Sequence, residues 1–426
     1  MIKGINLKSN FLKSIIVLMS GTLIAQVINL LLNIILFKYF YNEIDNAEFG
    51  LFARIVGVIA AVATARYEFA MPIAKADVHS FRLYRIAIRI AFISSSVTAV
   101  VVIIPVLLQE NLSDALFYGL IPIGMFITAY YSIGTNWAIR NKQFRSISLS
   151  KVTNSIGGGA IKLSMGWLGA GYIGLIMGMV GGIFLSNMWF FRNYRVANRQ
   201  YAVKFRSVRT KLLAKTYQDF PKINLPHTLM DAGRELIIAL LIVELFTKSD
   251  FGFYNLSYSM LRMPLMLAGL AISQVYFQRC SDQFNRGEDI MPLVLKSVKI
   301  LTLISIIPFG LIFFFGDELF VFVFSEAWRS SGELSQIMSL WFMFNFIASP
   351  ISFLPLILGK QKEFFKIAAI GTVAQILSIL IPAMLFQADI KTTLWIVTTS
   401  QVLYFLLVIF KTFQFIRKAN AQRLKK

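Results

Sequence analysis

Long apolar runs recur along this chain, and the lysines and arginines between them avoid every second connection. That alternation restricts the fold before any motif is considered. An apolar run of ~20 residues can cross a bilayer as a helix. About twelve such runs can be marked, at roughly 13–37, 50–74, 87–108, 115–138, 152–168, 171–191, 225–246, 253–277, 297–316, 334–358, 367–386 and 393–416. The basic residues of the connecting segments fall almost entirely on one side: the N-terminus, alternate connections and the C-terminal tail. The other side holds only Lys38, Lys248, Arg329 and Lys391. Cytoplasmic loops are enriched in Lys and Arg. The expectation is therefore a multi-pass protein of a plasma membrane, with an even number of spans and both termini cytoplasmic.

The bulk numbers agree with this. Of the 426 residues 57% are hydrophobic, and the mean hydropathy is +0.68. The net charge of +21 would suggest nucleic acid in a soluble chain. Here it sits in loops that face anionic lipid, so the bilayer is the expected partner and nucleic acid is not. One cysteine, Cys280, rules out an intrachain disulfide, and His79 and His227 make no metal cluster. No phosphate-loop glycine pattern, paired-histidine zinc motif or cysteine pair is present, so the reading includes no enzyme activity, cofactor or metal. The basic N-terminus leads into an apolar run with no small-residue cleavage site, which reads as an anchoring span and not a removed signal peptide.

The longest connection on the basic side, 192–224, carries nine Lys and Arg residues and separates six spans from six. The expected organisation is an N-terminal six-helix bundle over 1–191, this basic cytoplasmic connector, a C-terminal six-helix bundle over 225–416 and a basic tail over 417–426. The halves look like parallel repeats. Phe49-Gly50 and Phe251-Gly252, 202 residues apart, each stand just before a span and follow a short acidic loop. A parallel repeat places a transport site between the halves. The fold class is an all-α integral membrane protein of about twelve transmembrane helices in two bundles.

Six basic residues remain inside the apparent spans: Arg54, Arg66, Lys162, Arg234, Arg262 and Lys411. Each costs roughly 2.5–3.5 kcal/mol at mid-membrane unless it faces water, pairs or snorkels. Arg54 and Lys411 lie near span ends and suit snorkelling. Arg66 falls near the middle of 50–74, with Glu68 about 160° around an ideal helix, so the two are not expected to pair on one face. Arg66 either fixes packing through a third helix or presents its charge to an anionic ligand. In the seventh span His227, Asp231, Arg234 and Glu235 share one stripe, suited to ion coupling, to headgroup binding or to self-neutralisation. Asn255 and Arg262 share a face of the eighth span, and Pro264 is a possible hinge. Lys162 follows Gly157-Gly158-Gly159, which read as a packing surface. Gln26, Asn29 and Asn33 continue a polar stripe from Thr22 that faces another helix or a cavity.

The stretches FGLFARIVGVIAAVATARYEFAMPIAK and DFGFYNLSYSMLRMPLMLAGLAISQVYFQR, with the Arg66-Tyr67-Glu68 core and Pro264, resemble the polysaccharide-export branch of the multidrug/oligosaccharidyl-lipid/polysaccharide (MOP) flippase superfamily. These are the O-antigen flippases called Wzx. The resemblance spans nearly the whole chain. It implies a MATE-like fold, with two six-helix bundles around a cavity that opens alternately to either side. It also implies flipping of an undecaprenyl-pyrophosphate-linked oligosaccharide to the outer leaflet of a bacterial inner membrane, with a polysaccharide polymerase complex as a further partner. On that footing Arg66, Arg234 and Arg262, with Lys162, are the expected pyrophosphate ligands. Glu68, Asp231, Glu235 and His227 are the expected ion-coupling groups, and Gln26, Asn29, Asn33 and Asn255 line the cavity. The competing reading is a MATE-like multidrug or cation antiporter, in which acidic groups dominate.

Overall fold

The computed structural model describes residues 4–201 and 210–423. Every described element is helical. The α-helices are α1 (Gly4–Tyr39), α2 (Glu43–Val62), α3 (Asp77–Leu107), α4 (Leu112–Arg140), α5 (Phe144–Trp167), α6 (Tyr172–Tyr201), α7 (Thr210–Thr216), α8 (Leu225–Leu245), α9 (Lys248–Asn285), α10 (Met291–Val323), α11 (Arg329–Ala348), α12 (Leu354–Ile357), α13 (Gln361–Phe386) and α14 (Ile390–Arg423). Apart from α7 and α12, each has 20 residues or more and so reaches about 30 Å.

Seven helices among the described residues are long and apolar enough to cross a membrane: α1, α3, α4, α6, α10, α13 and α14. The protein is multi-pass. The apolar stretch of α3 is only 6% buried, and Val97, Val100, Val101 and Ile104 lie open on it. Lipid is the environment that tolerates such a face. The long helices outside the seven include those that carry Arg54, Lys162, Arg234 and Arg262.

The chain forms two compact units that meet in sequence at Ile237 and Ile238, inside α8. In the first unit α5 lies against α6 through glycine. A Cβ on Gly158 would stand 2.8 Å from the carbonyl oxygen of Gly178, and one on Gly182 would stand 2.8 Å from Cα of Gly158. Small residues thus let two backbones touch, a common device where lipid supplies no hydrophobic drive for helix pairing. α1 packs along α5 in a similar way, with Gly159 beneath Leu32 and Ser155 Oγ donating to the Ala25 carbonyl. Phe52 and Val56 of α2 join Phe117 and Ile121 of α4 and Ile176 and Val180 of α6 in a buried core. In the second unit α11 is central: it packs on α9, α10 and α14. Ser257 Oγ of α9 donates to the Ser331 carbonyl at 2.6 Å, and Ser331 Oγ donates back to the Phe253 carbonyl at 3.1 Å.

Both Phe-Gly pairs fall in the first turns of helices that begin with a capping box, Asn42 with Asp45 and Thr247 with Asp250. Each cap satisfies otherwise orphaned backbone donors. The two helices then differ. The run 50–74 is expected as one span, but α2 stops at Val62. Its counterpart α9 runs through Pro264 without a break. The expected tenth span also stops early, at Ala348, where Pro350 leads into a short 3-10 turn.

Candidate functional site

The chemistry of the first unit gathers where α2 ends. Ala65 and Arg66 adopt left-handed backbone conformations, with φ of 50° and 62°, and a 3-10 turn follows at Tyr67–Ala70. Non-helical backbone within a membrane protein must find partners for its polar groups or line a wet cavity. Here side chains from other elements supply them. Ser94 Oγ donates to the Ala63 carbonyl and Ser80 Oγ to that of Met71, both from α3. Arg140 at the end of α4 donates Nη1 to the Pro72 carbonyl at 3.1 Å, and Nε and Nη2 to Asp77 Oδ1. Tyr67 donates its hydroxyl to the Ala214 carbonyl of α7 at 3.3 Å. Tyr67, Ala70, Met71 and Ala74 then sit in one buried cluster with Phe81, Tyr84 and Trp137.

This break overturns the expected geometry of Arg66 and Glu68. On an ideal helix they would point apart. In the turn Arg66 Nη1 stands 3.7 Å from Glu68 Oε1. Glu68 is 1% exposed. Its other oxygen accepts a hydrogen bond from Thr64 Oγ1, and Thr64 Oγ1 also accepts from the Arg66 backbone N–H. The Arg66 guanidinium lies 4.1 Å from the centre of the Phe69 ring, and its Nε has no hydrogen-bond partner. Arg66 is thus held on one edge by Glu68 and against an aromatic face, with donor capacity left over. Thr64 and Arg140, which build this turn, are absent from the sequence expectation. No local pattern marks them, because their partners lie in other segments or depend on the turn itself.

On α8 the four-residue stripe resolves into two pairs. His227 Nδ1 is 3.4 Å from Asp231 Oδ2, both half exposed, and Arg234 Nη2 is 3.7 Å from Glu235 Oε1. The Arg234 Nε is buried without a hydrogen-bond partner. Lys162 lies in the α5–α6 seam: its stem covers Gly178, its ammonium is 4.8 Å from the centre of the Phe49 ring, and its carbonyl accepts from the Tyr41 hydroxyl. Arg262 is exposed on α9 in the second unit, with its guanidinium 5.7 Å from the Tyr258 ring centre. Asn255 on the same helix is buried. In the α1 stripe Thr22 accepts from Lys151 Nζ at 2.8 Å, so that end contacts α5, whereas Gln26, Asn29 and Asn33 are half-buried. No cluster of three metal-ligating side chains occurs among the described residues.

Comparison with known proteins places the fold. The family model described as "Polysaccharide biosynthesis protein" matches residues 44–333. No curated protein matches the sequence. The fold is shared with a multidrug resistance MATE family transporter of the MOP superfamily in its inward-facing conformation, at TM-score 0.68 and 12% identity, covering 95% of this chain and 98% of that one. It is shared equally with the lipid II flippase MurJ, inward closed, at TM-score 0.69 and 15% identity, with 96% and 91% covered. A MOP superfamily transporter from Pyrococcus furiosus, described as having a binding pocket of reverse polarity, gives TM-score 0.62 at 13% identity, covering 96% of each chain. The MATE-like fold expected from the sequence is borne out.

Proposed function

This chain belongs to the polysaccharide biosynthesis protein family, and from that premise we propose that it flips an undecaprenyl-pyrophosphate-linked oligosaccharide from the inner to the outer leaflet of a bacterial inner membrane by alternating access. The observation that carries the reading is Arg66. It is an arginine fixed in a broken helix, only partly engaged by Glu68 and left with an unused donor. Guanidinium groups bind phosphate oxygens through paired, directional hydrogen bonds. Arg234, Arg262 and Lys162 are the further cations for the pyrophosphate. Gln26, Asn29, Asn33 and Asn255 provide neutral polar groups for the sugars. Glu68, Asp231, Glu235 and His227 are where proton or sodium coupling would enter. A multidrug antiporter of the same fold would need its acids uncompensated. Glu68 and Glu235 each stand beside an arginine instead.

The test is depletion of the protein in its host, followed by mass spectrometry of polyprenyl-pyrophosphate glycans and a leaflet-accessibility assay. Complete lipid-linked units should accumulate in the inner leaflet. Normal glycan lipids, combined with increased retention of cationic compounds, would overturn the proposal in favour of drug export.

A further inference from the structure

A second site lies in the first unit, beside the buried cluster that holds the α2 break: Ile88, Phe126 and Tyr194 of its lining also pack on that cluster. α3, α4 and α6 enclose a cavity of about 880 Å³. Its wall on α6 is ordered along the helix axis. Phe184, Met188, Phe191 and Arg195 follow at spacings of four, three and four residues, so they form one stripe. The stripe is apolar for two turns and then basic, with Arg192 beside Arg195 at the same end. From Phe184 to Arg195 is about 16 Å at 1.5 Å per residue. Phe126 of α4 and Ile88 of α3 complete the apolar part. Phe184 and Met188 are more than half exposed, so the cavity opens sideways on a helix that is apolar enough to lie in a bilayer.

Two polar groups set into this lining lack a full set of partners. Asn187 is 7% exposed; its Nδ2 donates to the Ile127 carbonyl at 2.8 Å, and its Oδ1 has no partner. Tyr130 accepts from the Tyr84 hydroxyl at 3.3 Å, which leaves its own O–H to donate. The Tyr130 O–H, set between an apolar wall and a basic rim, is placed to donate to an ester carbonyl of an amphiphile, whereas Asn187 Oδ1 would need a hydroxyl donor such as that of a glycerol headgroup or a water.

The geometry points to a binding site for one phospholipid with an anionic headgroup, phosphatidylglycerol in kind. Its phosphate lies between Arg192 and Arg195, and one acyl chain runs along Phe191, Met188 and Phe184. The order of the stripe, tail-compatible and then phosphate-compatible, matches that of the lipid. Basic pockets between transmembrane helices are suited to anionic headgroups. The site belongs to one unit and does not rest on the flippase reading, since a transporter of any substrate could carry it.

Native mass spectrometry of the full-length protein in detergent tests this, with phosphatidylglycerol and phosphatidylcholine of identical acyl chains as probes. The wild-type protein should retain the first over the second by roughly tenfold. Arg192→Gln with Arg195→Gln should bring the two lipids to parity, although the many other basic residues remain. Arg192→Lys with Arg195→Lys should keep the preference, and Met188→Trp should lower retention of both lipids. An unchanged thermal midpoint and a monodisperse elution profile establish that each variant is folded. Equal retention by the wild type, or a preference that survives the double glutamine variant, overturns the assignment. So does displacement of bound phosphatidylglycerol by equimolar polyprenyl phosphate, which would give the groove to an isoprenoid tail. Loss of glycan transport is measured separately, so the two proposals fail independently.

Discussion

Arg66 is held in a conformation that L-residues adopt reluctantly, and Ala65 before it shares that conformation. A left-handed backbone costs on the order of 1–2 kcal/mol for a residue with a Cβ, and such strain persists where surrounding structure imposes it. Ala65→Gly should therefore raise stability by about 0.5–1 kcal/mol, seen as a higher unfolding midpoint in detergent; a lower midpoint would mean that the turn is not strained there. The role of Arg66 can be separated from that of its partner. Removing a charged hydrogen-bonding group costs about 1.5–3 kcal/mol, so Arg66→Gln should slow glycan-lipid flipping by roughly 10- to 100-fold. If Arg66 only neutralises Glu68, adding Glu68→Gln should restore transport. If Arg66 binds the pyrophosphate, the double variant stays slow, and that is the expected result. The sequence exposes Arg66 and Glu68 because charge is rare in apolar runs. It conceals their pairing, because helical periodicity assumes a helix that stops at Val62.

Helix pairing was more legible than helix ends. Gly157-Gly158-Gly159 reads directly as a contact surface, and Gly158 does abut Gly178 and Gly182. Gly158→Ala or Gly182→Ala would drive a methyl group into backbone and should cost about 1–3 kcal/mol. Gly57→Ala meets nothing within 4 Å and should be neutral or slightly stabilising, so the contrast in unfolding midpoint tests the seam. The end of α2 carries no comparable signal: 63–71 contains no glycine or proline, and of the anchors only Ser80 is near in sequence, while Ser94, Arg140 and Ala214 lie further off. Arg140 makes the strongest of these contacts. Arg140→Ala should release 72–77 and raise its amide hydrogen exchange by about 10-fold or more, with α5 and α6 unchanged. Uniform exchange across the unit would mean that Arg140 supports the whole bundle and not this turn.

At the scale of the whole molecule, the asymmetry of charge is what the chain displays most openly and what separates the two transport readings. Basic residues gather in alternate connections, and the other cations include Arg66 in the turn after α2, Arg234 on α8 and Arg262 on α9, with Glu68 and Glu235 beside the first two. A pyrophosphate headgroup carries about two negative charges, and the membrane potential contributes ~2.3 kcal/mol per charge per 100 mV. Outward flipping runs with an inside-negative potential, and at 100 mV it is therefore favoured by about 4–5 kcal/mol, or roughly 10³-fold in the distribution between leaflets. In proteoliposomes with an imposed potassium diffusion potential, an inside-negative voltage should drive the lipid-linked glycan to the outer leaflet, and reversing the voltage should return it. Export of a cationic drug has the opposite sign and is opposed by the same voltage. If flipping ignored voltage altogether, the headgroup charge would have to be balanced by co-moving cations. Glu68, Asp231 and Glu235 would then be the residues whose neutral variants should make transport voltage-sensitive.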